Sequence, residues 1–165
     1  EAGGLGGVPP LHPERRNEQM KILLINGPNL NLLGRREVSI YGVKTLPEIE
    51  IVMTGKAREL GAEVLCFQSN SEGDLVDFLQ REAPMAQGII INPGALTHYG
   101  LSLREALADT RLPVIEVHLS NIYAREEWRR KSVIAPIALG QISGLGWRSY
   151  KAALETLVAR LKGEE

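Results

Sequence analysis

The stretch KILLIN, residues 21–26, decides the fold, because a nearly continuous apolar run is typical of a strand buried on both faces of a parallel sheet. A long connection, residues 27–42, follows this strand. Connections of this length in compact domains are most often functional or disordered. Disorder is not expected here, because the connection contains the apolar and aromatic residues Leu30, Leu32, Leu33, Ile40 and Tyr41. We therefore expect it to close over an active site, with Tyr41 as its reactive group.

Four further strands and several amphipathic helices alternate along the chain after this connection. The strands are predicted at residues 62–67, 88–92, 114–118 and 137–142, and the helices at residues 46–60, 72–82, 101–109, 125–131 and 150–161. Thr45 and Glu48 have the spacing of a capping box. This alternation predicts an α/β three-layer sandwich with a five-stranded parallel sheet and helices on both faces. Its length and strand count suit the flavodoxin-like strand order 2-1-3-4-5.

The length and composition indicate one ordinary globular domain. The chain has 165 residues, a formal net charge of -1 and a single cysteine, Cys66, for which we predict a buried apolar role. A net charge near zero argues against a nucleic-acid or anionic-membrane partner. No apolar run is long enough to span a membrane, no signal peptide is evident, and no internal disulfide can form, so we expect a cytoplasmic protein.

The first residues differ in composition from the rest of the chain. Residues 1–19 are rich in glycine and proline, which predicts a flexible N-terminal extension, and residues 20–165 are predicted to form a single catalytic domain.

Polar side chains follow three of the predicted strands at their carboxyl ends, where ligands bind in an open parallel sheet. In the order 2-1-3-4-5 the strand order reverses between the first and third strands, so the site is expected there. The residues delivered to this edge are Asn26, Asn29, Arg35, Arg36 and Tyr41 after the first strand, Asn92, Thr97 and His98 after the third, and His118, Ser120, Asn121, Arg125 and Arg129 after the fourth.

Two of these groups suit acid–base chemistry. Glu116 and His118 are two apart on a strand and share a face, so the carboxylate can orient the imidazole as a general acid. A guanidinium beside Tyr41 would stabilise its phenolate as a base, and Arg35 and Arg36 are close in sequence. Each of these residues also has an ordinary structural alternative. His118 could hydrogen-bond only to nearby backbone, Tyr41 could be a packing residue, and Arg35 and Arg36 could be a solvated pair on the surface. Arg125 and Arg129 are spaced to share one face of the predicted short helix.

Several other chemistries lack their sequence signatures. The loop after the first strand has neither the P-loop pattern nor the G-x-G-x-x-G pattern of nucleotide binding. The three histidines and Cys66 do not form a metal-ligand cluster, and no G-x-S-x-G elbow is present. We therefore expect no metal and no cofactor.

The chain closely resembles the type II 3-dehydroquinate dehydratases from about residue 20 to residue 161. The motifs that carry the resemblance stand in order at the right spacing. They are INGPNL at 25–30, GRRE at 34–37 with YG at 41–42, QSNSEG at 68–73, INPGA at 91–95 with TH at 97–98, and IEVHLSN at 115–121 with REE at 125–127.

This resemblance implies a flavodoxin-like fold, a dodecamer built as a tetramer of trimers, and the dehydration of 3-dehydroquinate to 3-dehydroshikimate in the shikimate pathway through an enolate. It implies that Tyr41 is the base, that Arg36 activates it, that Asn29 holds a water at the enolate oxygen, and that His118 is the acid oriented by Glu116. The implied substrate-binding positions are Asn92, His98, Arg129, Leu119 and Ser120, together with Glu105, which would reach a neighbouring subunit's site.

Two positions depart from the family pattern. Val38 stands where proline is usual, which predicts a less rigid loop, and Glu105 replaces a commoner aspartate. The competing hypothesis is a non-catalytic flavodoxin-like binding module, either a flavin binder or a receiver domain. A receiver should carry an acidic cluster after its first strand, where this chain has amides and arginines, and a flavin binder should purify coloured.

Overall fold

A computed structural model describes residues 19–164, so the extension predicted over residues 1–19 lies, except for Gln19, outside the described residues. Five parallel strands form one sheet in the order β2-β1-β3-β4-β5, as the sequence predicts. The strands are β1 Met20–Asn26, β2 Ala62–Gln68, β3 Gly88–Asn92, β4 Val114–His118 and β5 Gly140–Ser143. The helices are α1 Val38–Tyr41, α2 Leu46–Glu59, α3 Glu72–Glu82, α4 Leu101–Asp109 and α5 Arg148–Lys162.

The central strand β1 contributes to both layers of the core. Ile22 and Leu24 pack with α2 and α5, whereas Leu23 and Ile25 pack with α3 and α4. Successive side chains on a strand point to opposite faces, so helices on both sides bury all four residues completely. Each such side chain contributes about 1.5–3 kcal/mol of stability through burial. This packing confirms the three-layer arrangement.

Local capping signals start two of the helices. The Thr45 hydroxyl accepts a hydrogen bond from the Glu48 amide, and the Glu48 carboxylate accepts one from the Thr45 amide, which completes the predicted capping box. The Ser71 hydroxyl caps α3 by accepting from the Asp74 amide. These bonds satisfy amides that have no partner inside the helix, so helix starts were predictable from short motifs.

Two predicted elements are wrong in position or type. The fifth strand does not run over residues 137–142, because Pro136 lies in a 3₁₀ turn, Ala135–Ile137, and β5 begins only at Gly140. Residues 125–131 do not form a helix. Arg125 has extended backbone between two 3₁₀ turns, Ile122–Ala124 and Glu127–Arg130. Arg125 and Arg129 therefore do not share a helical face.

Cys66 is half-buried on β2, where it packs against the core on the α2 and α5 side, so it has the predicted apolar role but its burial is only partial. None of the described helices is both long enough and apolar enough to cross a membrane.

Candidate active site

The loops that follow β1 and β3 meet backbone to backbone at the carboxyl edge of the sheet. The Gly27 amide donates to the Asn92 carbonyl at 2.8 Å. A Cβ on Gly27 would lie 2.3 Å from the Pro93 carbonyl oxygen, and one on Gly94 would lie 2.9 Å from the Pro28 carbonyl oxygen. Only glycine allows this close approach, which brings the two loops together at the predicted reversal of strand order.

A cavity of about 260 Å³ opens at this edge. Nine of the eleven predicted site residues line it: Asn29, Arg36, Tyr41, Asn92, His98, His118, Leu119, Ser120 and Arg129. The tenth, Glu116, is fully buried behind His118. The eleventh, Glu105, is exposed on α4 and does not line the cavity of its own chain.

His118 is held from behind by a buried carboxylate. Its Nε2 lies 3.1 Å from Glu116 Oε1, and because an ionised carboxylate only accepts, Nε2 carries the hydrogen. The other ring nitrogen, Nδ1, remains for a ligand. The predicted Glu116–His118 contact is thus present in the structure.

Three further side chains donate to Glu116, and with Glu116 and His118 they form what we call the Glu116 cluster. Thr97 Oγ1 donates to Oε1, Ser132 Oγ donates to Oε1 at 2.9 Å, and Gln141 Nε2 donates to Oε2 at 2.6 Å. The Ser132 hydroxyl also accepts from the amides of Ile134 and Ala135. Every hydrogen-bonding position of that hydroxyl is therefore in use.

These donors determine the charge of Glu116. Burial by itself would raise the pKa of the carboxyl group, but the hydrogen bond and the charge of His118, with the hydrogen bonds from Thr97 and Gln141, outweigh it. The pKa of Glu116 consequently lies below its ordinary value of 4.5. The carboxylate therefore stays ionised at neutral pH and presents a negative charge to Nε2 of His118.

Tyr41 lies on a lid, which we define as residues 34–42, and two arginines contact it. Arg125 Nη1 donates to the Tyr41 hydroxyl oxygen at 2.8 Å and to Ser120 Oγ at 3.3 Å. The Arg36 guanidinium carbon lies 4.7 Å from the centroid of the Tyr41 ring. Arg36, the predicted partner, therefore contacts the ring face, whereas Arg125 contacts the oxygen that would carry the phenolate charge.

The lid is a strained and partly exposed segment. Gly34 and Gly42 have φ values of 86° and 82°, and Glu37, at the start of α1, has a φ of 29°, which is unfavourable for a residue with a side chain. Val38 and Ile40 are exposed. A second cavity of about 540 Å³ lies against the lid, and Tyr41 and Arg125 line both cavities. Tyr41 and Arg125, together with Leu119 and Ser120, thus form the wall that the two cavities share.

His98 and Arg129 are positioned by the 3₁₀ turn Glu127–Arg130. His98 Nδ1 lies 2.7 Å from the Lys131 carbonyl oxygen, so Nδ1 carries the hydrogen and Nε2 is left for a ligand. The Trp128 ring meets the His98 ring edge-on with centroids 5.0 Å apart, and the Arg129 guanidinium carbon lies 4.1 Å from the Trp128 centroid. Trp128 therefore packs between the two side chains.

Asn29 adopts a left-handed backbone conformation, with a φ of 70°, which asparagine tolerates better than most residues. Its amide donates to Asn70 Oδ1 at 2.9 Å, and Gln68 Nε2 donates to the same oxygen at 3.2 Å. The loop after β2 thus fixes the loop after β1.

Sequence reasoning brought Arg125 to this edge but gave it no role at Tyr41, and it did not assign Ser132 or Gln141 to the site. A signal existed only for Gln141, which pairs with Glu116 in the register of β4 and β5. The wrong start of the fifth strand concealed that register.

Other reactive groups lie apart from this cavity. Burial and the nearby Glu50 charge raise the pKa of the Cys66 thiol to about 12, so it stays protonated. Within residues 19–164, no three His, Cys, Asp or Glu side chains are grouped closely enough to hold a metal ion.

The chain is similar to known proteins in both sequence and structure. Residues 20–158 match the family model described as Dehydroquinase class II. A 3-dehydroquinate dehydratase of Roseiflexus castenholzii is 61% identical over 139 residues, which are 84% of this chain and 88% of that protein. A 3-dehydroquinate dehydratase of Herpetosiphon aurantiacus is 57% identical over 86% of this chain and 98% of that protein. The crystal structure of a type II dehydroquinase from Propionibacterium acnes superposes with a TM-score of 0.82 at 40% identity, covering 86% of this chain and 99% of that one.

Proposed function

The chain belongs to the class II dehydroquinase family, and on that premise we propose that it dehydrates 3-dehydroquinate to 3-dehydroshikimate, a step of the shikimate pathway. The observation that carries the proposal is that Tyr41, held by Arg125, and His118, held by Glu116, line one cavity. A base and an acid are the two groups that elimination of water next to a ketone needs.

In the proposed mechanism, Tyr41 acts as a phenolate and removes the proton from the carbon next to the ketone. The positive charge of Arg125 at its oxygen and of Arg36 at its ring stabilises that phenolate. Electrons of the broken C–H bond move onto the ketone oxygen and form an enolate. Asn29, which lines the cavity, would hold a water that donates to this oxygen.

Protonated His118 then gives its proton to the hydroxyl group beta to the ketone, which leaves as water while the conjugated enone forms. Tyr41 ends protonated and His118 ends neutral, so a proton returns from one to the other before the next turnover. Glu116 keeps the imidazolium oriented without taking its proton, because four side chains donate to the carboxylate.

The remaining lining residues are proposed to bind the substrate. Arg129 and the backbone amides of Leu119 and Ser120 suit its carboxylate, and Asn92 and His98 suit its hydroxyl groups. The proposal involves no metal and no cofactor.

We also propose that the enzyme assembles as a dodecamer in which Glu105 serves a neighbouring subunit's site. Glu105 is exposed on α4 and lies outside the cavity of its own chain, which is consistent with a contact between subunits. Analytical ultracentrifugation should give the mass of twelve chains. Glu105→Ala should lower turnover, and a fully active Glu105→Ala variant would reject the contact.

The function is tested by mixing the protein with 3-dehydroquinate in a chelator and following the ultraviolet absorbance of the conjugated enone. We expect the absorbance to rise at a rate proportional to protein concentration. An absorbance that stays flat would reject the function.

A second experiment tests the reaction class. Among the described residues no lysine lines the cavity, so an imine between enzyme and substrate is not expected. Borohydride added with substrate should leave both activity and mass unchanged. A substrate-derived mass covalently attached to a lysine would contradict the enolate mechanism.

A further inference from the structure

A buried chain of hydrogen bonds connects α5 to the cavity. Asn92 Nδ2 donates to the Tyr150 hydroxyl oxygen at 2.9 Å, and the Tyr150 hydroxyl donates to Asn26 Oδ1 at 2.6 Å. Asn26 and Asn92 are paired in register at the ends of β1 and β3, where the strand order reverses. Tyr150 therefore joins the two strand ends from behind the sheet.

A backbone amide at one end determines the donor-to-acceptor direction of these hydrogen bonds. The Gly94 amide donates to Asn92 Oδ1 at 3.1 Å, so the oxygen of that side chain must face the loop after β3. Its nitrogen must then face Tyr150, whose own hydrogen is left for Asn26. One backbone amide thus sets the orientation of both the Asn92 amide and the Tyr150 hydroxyl.

All three side chains are almost completely inaccessible to solvent. Tyr150 and Asn26 are fully buried, and Asn92 is 2% exposed while it lines the cavity. Burial raises the pKa of the Tyr150 hydroxyl, an effect that the hydrogen bond from Asn92 only partly opposes. The hydroxyl therefore stays protonated over the whole working pH range and always has a hydrogen to donate.

We propose that Tyr150 is a positioning residue of the active site, which holds the Asn92 amide in one orientation so that its second N–H hydrogen is available to a hydroxyl oxygen of the substrate. This inference rests on the proposed function, in which Asn92 binds substrate. Tyr150 itself does not line the cavity, so it acts through Asn92.

A purely structural role for Tyr150 makes a different prediction. A buried tyrosine with two hydrogen bonds stabilises the fold whether or not Asn92 touches substrate. Its loss would then lower the amount of folded enzyme and leave the KM of the folded fraction unchanged. The positioning role predicts a change in KM that depends on Asn92.

The test is a double-mutant cycle with Tyr150→Phe and Asn92→Ala, assayed by enone formation at a temperature where unfolding curves show every variant folded. We expect Tyr150→Phe to raise KM about five- to tenfold, as the loss of one hydrogen bond to an uncharged group does, and to change kcat less than about twofold. In the Asn92→Ala background the same substitution should leave KM unchanged.

Ser149→Ala is the matched control. Ser149 is a fully buried neighbour on α5, and its hydroxyl has no hydrogen-bond partner among the described residues. Deleting this hydroxyl should leave KM and kcat as in the wild type. If Tyr150→Phe does not fold, Asn26→Leu replaces it in the cycle, because that change removes the acceptor that orients the Tyr150 hydroxyl; the same dependence on Asn92 is expected.

An equal effect on KM with and without Asn92, or no effect in either background, would overturn the positioning role. Wild-type activity in the same assay separates the two proposals. An inactive wild type would remove the proposed function and this inference with it. An active wild type whose Tyr150 and Asn92 variants show no coupling would remove the inference alone.

Discussion

The Glu116 cluster and the lid hold the two groups of the proposed reaction in different ways. Glu116 is fully buried, and four side chains from four segments of the chain donate to its two oxygens. Tyr41 lies on a four-residue helix with exposed neighbours, and its hydroxyl receives one hydrogen bond, from Arg125. Folding therefore preorganises the acid, whereas the base depends on a segment of low local stability.

The largest expected effect lies on the lid side of this comparison. Tyr41→Phe should lower kcat by about a thousandfold or more, because it removes the proposed base and leaves only the general-acid and binding contributions. The unfolding temperature should barely change, since the ring keeps its contacts. Tyr99→Phe, the same change at a tyrosine that is 63% exposed and does not line the cavity, is the control. Appreciable turnover by Tyr41→Phe would refute the base assignment.

The next largest effect lies in the Glu116 cluster. Glu116→Gln keeps the size of the side chain but removes its negative charge. It also replaces one accepting oxygen with an NH₂ group, which then faces side chains that themselves donate hydrogen bonds. We expect kcat to fall about a hundredfold, the lower end of a general-acid contribution, because His118 loses its orienting anion. Steady-state kinetics at pH 7 measures this, with Glu59→Gln, at a carboxylate that is 70% exposed, as the matched surface control. Wild-type kcat in Glu116→Gln would show that His118 needs no buried carboxylate.

The two arginines at Tyr41 allow a sharper test of the lid. Arg125→Met should lower kcat about thirtyfold, since a hydrogen bond to a charged group contributes about 1.5–3 kcal/mol. Arg36→Met should lower it only about threefold, as expected for a cation at a partly exposed ring face. Kinetics of both variants under one set of conditions checks the order. A larger loss in Arg36→Met than in Arg125→Met would make Arg36 the main activating residue, as the family resemblance implies.

The Glu116 cluster should also make stability depend on pH. Because the folded-state pKa of Glu116 is lowered, its contribution is fully present above the ordinary value of 4.5 and is lost as the pH falls below that value, through the folded-state pKa. Unfolding free energies of wild type and Glu116→Gln should therefore converge as the pH falls below 4.5. Denaturant titrations between pH 7 and pH 3 measure this difference. A constant difference across the range would contradict the linkage.

The last prediction concerns motion and needs no substitution. Amides of the lid should exchange hydrogen about a thousandfold or more faster than those of β4, because the lid is held by few buried contacts. Adding the product enone should slow exchange in the lid and leave β4 unaffected. Mass spectrometry of peptides covering residues 34–42 and 114–118 reports both rates. Equal protection of the two peptides in the free protein would remove the contrast.

Local patterns predicted most of the framework of this protein. The apolar run of β1 predicted a strand with two buried faces, and the Thr45 capping box predicted the start of α2. Both signals act between neighbours in sequence, where backbone geometry determines which side chains meet. The pair Glu116 and His118 was predictable for the same reason, since residues two apart on a strand share a face.

The predicted secondary structure was wrong in two segments, where the backbone conformation differs from the one that the residue pattern suggests. The apolar residues 137–142 suggested a strand, but Pro136 places the first of them in a 3₁₀ turn, and β5 is a short edge strand paired only with β4. Arginine spacing suggested a helix over residues 125–131, but the chain is extended at Arg125. That extended backbone is what lets Arg125 reach Tyr41.

The sequence by itself determined strands β1 to β4, the two buried faces of β1, the caps of α2 and α3 and the edge of the sheet at which polar groups gather. The carboxyl ends of parallel strands must meet at one edge, so this outcome needs no knowledge of the packing. Only the tertiary structure decided which groups touch there. Arg125 and Tyr41 are 84 residues apart, Gln141 and Glu116 are 25 apart, and Tyr150 and Asn26 are 124 apart. No periodicity relates such pairs, because their contact depends on how loops and helices pack over the finished sheet.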